Sequence, residues 1–151
     1  MNRTTVVLVS IAALLGGAYV YFFSDWFTSQ RIQIIPQIRP VRSARGNPGV
    51  YPVSFTLDGK YRLTSVKVVE ANAYKTNKFT APVWHLISQS NSVPIPGFIY
   101  GQPIRGMKPS ITNATPRRLQ ANMAYRLIVE AGKAKGEQDF KTQGIAEPGK
   151  K

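Results

Sequence analysis

The sequence predicts an all-β domain behind a single N-terminal transmembrane helix. Three observations carry that reading. Thr5 to Phe23 is a run of nineteen residues without a charge. After it, apolar and polar residues alternate in short runs, the period of a half-buried strand. Those runs are broken by turn chemistry and by eleven prolines, which suit strands and loops rather than helices.

As a helix, the apolar run is about 28 Å long. The hydrocarbon core of a bilayer is about 30 Å thick. Tyr19, Tyr21, Phe22, Phe23, Trp26 and Phe27 gather at the C-terminal end of the run. Tyr and Trp favour the headgroup level because each joins an apolar body to a polar handle. Tyr19, Tyr21, Trp26 and Phe27 are therefore the candidate membrane-interface residues. A cleaved signal peptide has a shorter apolar region and a small-residue end. Gly16-Gly17-Ala18 offers such an end, but Tyr19 to Phe23 continues the apolar run. Residues 1–27 read as an uncleaved signal-anchor. Two indicators of orientation disagree. Arg31, Arg39, Arg42 and Arg45 favour a cytoplasmic C-terminal side by charge count. The short head start before the apolar run favours export, and the exported orientation is the one expected.

The β domain is expected over residues 28–143. Arg31 to Arg39 places Ile at 32, 34 and 38, with Pro36 marking an edge strand. Val41 to Gly49 reads as a loop. Tyr51, Val53, Phe55 and Leu57 alternate on one face of the next strand. Asp58-Gly59 then predicts a hairpin turn, followed by a strand over Tyr61 to Ala71 with a bulge near Ser65. Val83 to Ser88 is a short strand and Phe98 to Tyr100 another. Gly106 to Arg118 is irregular. Tyr125 to Ala131 is the clearest strand, Gly132 to Gly136 a turn, and Glu137 to Thr142 a last strand. About seven such strands make a sandwich or a small barrel. Residues 144–151 read as a basic flexible tail.

One stretch carries a resemblance. Leu119 stands six residues before Tyr125, which opens the alternating strand ending at Ala131; Gly136, Phe140 and Thr142 follow. This resembles the end of a fibronectin type III or related immunoglobulin-like domain, and Val53-Ser-Phe55-Thr-Leu57 resembles its second strand. The resemblance spans 119–142, with weaker support from 53–57; residues 75–118 show no family pattern. It implies an immunoglobulin-like β-sandwich in which the Tyr125 ring packs in the core and its hydroxyl bonds a backbone group. Such sandwiches host many roles, so the resemblance implies no activity.

Composition narrows function. The chain has 20 Lys and Arg, 7 Asp and Glu, one His and no Cys. Without Cys there is no disulfide, thiolate catalysis, iron–sulfur cluster or Cys-ligated zinc. One His, His85, makes no multi-histidine metal site, and it reads as a packed or surface side chain. No nucleophile–base or paired-carboxylate arrangement is apparent, so no enzyme, metal or cofactor is expected. The net charge of +13 survives removal of residues 1–27, because Arg3 and Asp25 cancel. It bears on partners rather than on fold. The candidate interaction residues are Arg39, Arg42 and Arg45 beside the membrane, Tyr100, Arg105 and Lys108 in a Gly- and Pro-rich segment, and Arg117 and Arg118. The expected role is a non-enzymatic interaction or accessory protein of the cell envelope, exported to the periplasm or another extracytoplasmic space. Its partners would be the bilayer and an envelope protein. The alternative is a binder of anionic polymer or lipid headgroups: wall glycan, anionic lipid or nucleic acid. Export would take nucleic acid out of reach.

Overall fold

The computed structural model describes residues 2–23, 30–38, 49–89 and 92–145. Helix α1 runs over Arg3–Phe23, 21 residues of which none is buried. It is long and apolar enough to cross a membrane, at about 32 Å of helix. The expected contacts of Trp26 and Phe27 lie outside the described residues.

Eight strands follow among the described residues: β1 Ile34–Ile38, β2 Val53–Tyr61, β3 Ser65–Glu70, β4 Trp84–Ile87, β5 Ile95–Ile99, β6 Lys108–Pro109, β7 Ala124–Ala131 and β8 Ala134–Lys141. They form two antiparallel sheets, one in the order β1-β2-β5 and one in the order β6-β4-β3-β7-β8. A helix α2, Ala71–Thr76, separates β3 from β4.

One hydrophobic cluster draws on both sheets. Val53, Phe55 and Leu57 come from β2, Val66 and Val68 from β3, Leu127 and Val129 from β7, and Phe140 from β8. These residues alternate along their strands, so each strand commits one face to the core. Each fully buried side chain of this size contributes roughly 1.5–3 kcal/mol. At the centre, Phe55 meets Phe98 of β5 at 5.4 Å and Phe140 at 5.0 Å between ring centroids. Trp84 extends the contact from Phe98 to Tyr100, and Tyr125 extends it from Phe140.

The two tyrosines at the ends of this aromatic series hold one connection. Tyr100 Oη donates to the carbonyl of Arg117 at 2.6 Å. Tyr125 Oη accepts the N–H of Gln120 at 2.9 Å, as the sequence led us to expect. Thr142, fully buried, donates its hydroxyl to the carbonyl of Gln120. Both polar backbone groups of Gln120 are thereby satisfied at a part-buried corner, where an orphan would be costly.

Pro36 sits in β1, an edge strand, as expected. Before β1 the chain crosses from one sheet to the other. Arg31 makes a parallel bridge to Lys135 of β8, with Ile32 N–H bonding the Lys135 carbonyl at 2.9 Å. Three residues later Ile34 pairs with Leu57 of β2. The crossing lies flat on Gly136. A Cβ there would stand 2.5 Å from the Ile32 carbonyl oxygen and 3.0 Å from Ile32 Cβ.

Several expectations are corrected. Asp58 and Gly59 do not turn the chain: both lie inside β2, which runs on to Tyr61. β2 pairs with β1 and β5, not with β3, so there is no hairpin to close. The local preference survives as an irregular register between Thr56 and Tyr61 where β2 meets β5. The break near Ser65 is a change of sheet rather than a bulge, with β2 ending before it and β3 beginning there. Ala71, expected as the end of a strand, instead opens α2, which runs on to Thr76. The turn expected over Gly132 to Gly136 is shorter, because Ala134 already pairs with Ala131.

Two substitutions test this account by urea denaturation of the full chain in detergent. Gly136→Ala should cost about 1–3 kcal/mol, the price of overpacking a tight contact. Tyr125→Phe should cost roughly 1–3 kcal/mol by leaving the Gln120 N–H unsatisfied. Unchanged midpoints would refute the close crossing and the corner bond respectively.

Candidate interaction surfaces

The strand registers define two ends of the β domain. At one end lie Gln30 to Ile32, the β2–β3 connection, Ser65 paired with Glu130, and Ile87 paired with Lys108. This is the end at which the chain arrives from α1. At the other lie Glu70 paired with Tyr125, Ala124 paired with Lys141, and α2 with the loop that follows it. The expected interaction residues distribute over both.

Arg39, Arg42 and Arg45 lie outside the described residues. Tyr100 is half-buried, with its hydroxyl engaged by Arg117 and its ring 5.1 Å from Trp84 in an edge contact. Burial pushes its phenol far above the ordinary range. Arg105, Lys108, Arg117 and Arg118 are all exposed. They are not brought to one point. Lys108 pairs with Ile87 at one end of β4, whereas the Arg117 N–H bonds the Val83 carbonyl beyond the other end. Four strand residues between them amount to about 13 Å. The arrangement is a line of charge along a sheet edge, suited to an extended anionic partner rather than to a compact one. Tyr19 and Tyr21 are exposed near the C-terminal end of α1, and Tyr19 stacks on Phe23 at 5.1 Å.

Acidic groups are spent elsewhere. Arg126 grips Asp139 with two bonds, at 2.6 and 2.9 Å, and Glu137 lies 3.8 Å away. The guanidinium also lies 5.5 Å from the centre of the Tyr74 ring, which ties α2 to the outer face of β7. Lys135 pairs with Glu130 at 2.9 Å. The hydrogen bond from Arg126 holds the Asp139 carboxyl below its usual range. Being exposed, these pairs add little stability, but they neutralise the acids of β7 and β8 locally.

Phe79 was missed by sequence reasoning and is 93% exposed. It is nonetheless held in place. Its N–H bonds Asn77 Oδ1 at 2.9 Å, and Thr80 Oγ1 bonds the carbonyls of Asn77 and Ala73 at 2.6 and 3.1 Å. Asn at 77 followed by Thr at 80 is the local signal for such a turn. Lys75 and Lys78 precede it in sequence, on the end of the domain opposite Gln30.

His85 lies in β4, half-buried, with Nε2 3.4 Å from Ser65 Oγ. Burial, then the neighbouring Lys67 charge, lowers its pKa. Among the described residues, no three His, Cys, Asp or Glu side chains gather as a metal site.

No protein-family model matches the sequence, no curated protein matches it, and no solved structure matches the fold.

The pKa shifts fix an order of events on acidification. A depressed His pKa means that stability is complete above the unfolded value of about 6.5 and falls as pH drops through the lower folded value. The depressed Asp139 pKa contributes above the ordinary carboxylate range and is lost only below it. The thermal midpoint should therefore fall as pH drops below about 6.5, and His85→Gln should remove that fall, the exposed Asp139 pair adding little of its own. An unchanged fall in that variant would assign it to another group.

Proposed function

We propose that the chain is a single-pass membrane protein holding an immunoglobulin-like β-sandwich outside the cytoplasm, as a non-enzymatic interaction or accessory subunit of the cell envelope. The observation that carries this reading is the exposure of α1. Leu14, Tyr21, Phe22 and Phe23 are each more than 70% exposed, and the β domain closes its core without the helix. An apolar helix bare on every face is what a bilayer stabilises.

The strand partition supports the immunoglobulin-like part. β1, β2 and β5 in one sheet, with β3, β7 and β8 in the other, follow the order of such a sandwich. Tyr125 at the start of β7, bonded five residues upstream, is consistent with its tyrosine corner. The interaction role is supported by Phe79. A phenylalanine carried by a hydrogen-bonded turn presents apolar area to solvent from an ordered backbone, as an interface anchor does. It stands at the end away from the chain's entry from α1, where a partner has access.

The second reading, a binder of anionic polymer or headgroups, is favoured by the net charge of +13 and by the exposed line from Lys108 to Arg117. It requires binding that falls steeply between low and moderate salt.

Protease added to intact spheroplasts should remove a C-terminal tag without lysis. Protection until lysis would overturn export, and the arginines after α1 would then obey the charge rule. Crosslinking at low salt should capture a partner. Phe79→Ala should reduce that capture at least several-fold while changing stability by less than about 0.5 kcal/mol, as for an exposed site. Recovery of a lone monomer from wild-type protein would refute the interaction role.

A further inference from the structure

The end of the β domain at which the chain arrives from α1 is basic and grooved. Lys60, Arg62, Thr64, Ser88 and Gly132 border a shallow groove of about 460 Å³. Lys133, next to Gly132 in the β7–β8 turn, is exposed beside it, as are Lys60 and Arg62. None of these three bases has a carboxylate within 4 Å among the described residues. The nearby acids are otherwise engaged: Glu130 with Lys135, and Asp58 beside the Tyr61 hydroxyl.

Chain length brings this end to the bilayer. Gln30 is fixed to β8, its carbonyl accepting the Lys135 N–H at 3.0 Å. Phe23 ends α1. The seven chain steps between them reach at most about 25 Å. The groove's end of the domain, and not the Phe79 end, is thus tethered close to the surface from which α1 emerges.

We propose that this end of the domain docks on the bilayer, with Lys60, Arg62 and Lys133 binding the phosphate of anionic phospholipid headgroups. The assignment rests on α1 spanning that bilayer. The chemistry fits: Lys60 and Arg62 line the groove, Lys133 follows its Gly132 in the chain, and charges at an anionic surface add their attractions. Docking here fixes the orientation of the domain, with β-strands standing away from the membrane and Phe79 outermost.

The full chain, reconstituted in nanodiscs, tests this through lysine acylation read by mass spectrometry. Discs of phosphatidylcholine alone are compared with discs containing one third phosphatidylglycerol. Lys60 and Lys133 should be acylated roughly five-fold more slowly in the anionic discs, the size of one basic contact at such a surface. Lys75 and Lys78 should be unaffected. In the variant Lys60→Glu/Arg62→Glu, Lys133 should lose its protection, while Arg117→Glu/Arg118→Glu should leave it intact. Equal rates in the two discs, or slowing of Lys75 and Lys78 instead, would overturn the assignment. So would equal protection by soluble polyphosphate in neutral discs, which would mark a general polyanion site. A chain that enters neither disc would refute the spanning helix itself, and the docking with it.

Discussion

The aromatic series from Tyr100 through Trp84, Phe98, Phe55 and Phe140 to Tyr125 is the constraint on which the β domain depends. It passes from one sheet to the other twice, from Trp84 to Phe98 and from Phe55 to Phe140. Each step places a ring edge or face within 5.0 to 6.1 Å of the next, the separation at which such pairs gain beyond their buried area. In a chain without cysteine, no covalent cross-link joins the sheets, and this packing does that work. The hydroxyls at its two ends reach residues 117 and 120. A long, proline-bearing connection is thereby pinned from both sides by the same structure that unites the core.

With the sheets locked, the loops at their ends acquire fixed and opposite positions. The entry end collects lysines and an arginine without paired acids. The far end carries a hydrogen-bonded turn that includes Phe79. Arg126 and Lys135 hold the acids of β7 and β8 on the larger sheet. Among the described residues, unpaired bases stand at both ends of the domain and along the β4–β6 side of the larger sheet.

Features set by neighbours in sequence were legible there. The uncharged run of α1, the alternation of β7, the edge position implied by Pro36 and the corner role of Tyr125 each follow from a few adjacent residues. What depended on distant pairing was not. Asp58-Gly59 has the chemistry of a turn, but the strand containing it is claimed on both sides by β1 and β5, and pairing overrides local preference. The six residues of α2 are too few to show a helical period. Lys60 near the end of β2, Arg62 in the β2–β3 connection and Lys133 in the β7–β8 turn are far apart in sequence, and the β3–β7 pairing brings their segments to one end. Conversely, Tyr100 attracted notice as an aromatic in a Gly- and Pro-rich segment with basic neighbours, yet its ring packs against Trp84.

The crossing of the chain over Gly136 gives the domain a mechanical character. A load applied between α1 and the Phe79 end would enter at Gln30 and leave at the opposite end, and so run along the strands. The bonds of β1 to β2, and those of Arg31 and Ile32 with Lys135, would then be strained together in shear rather than opened one after another. Bonds that share a load resist extension better than bonds that open singly.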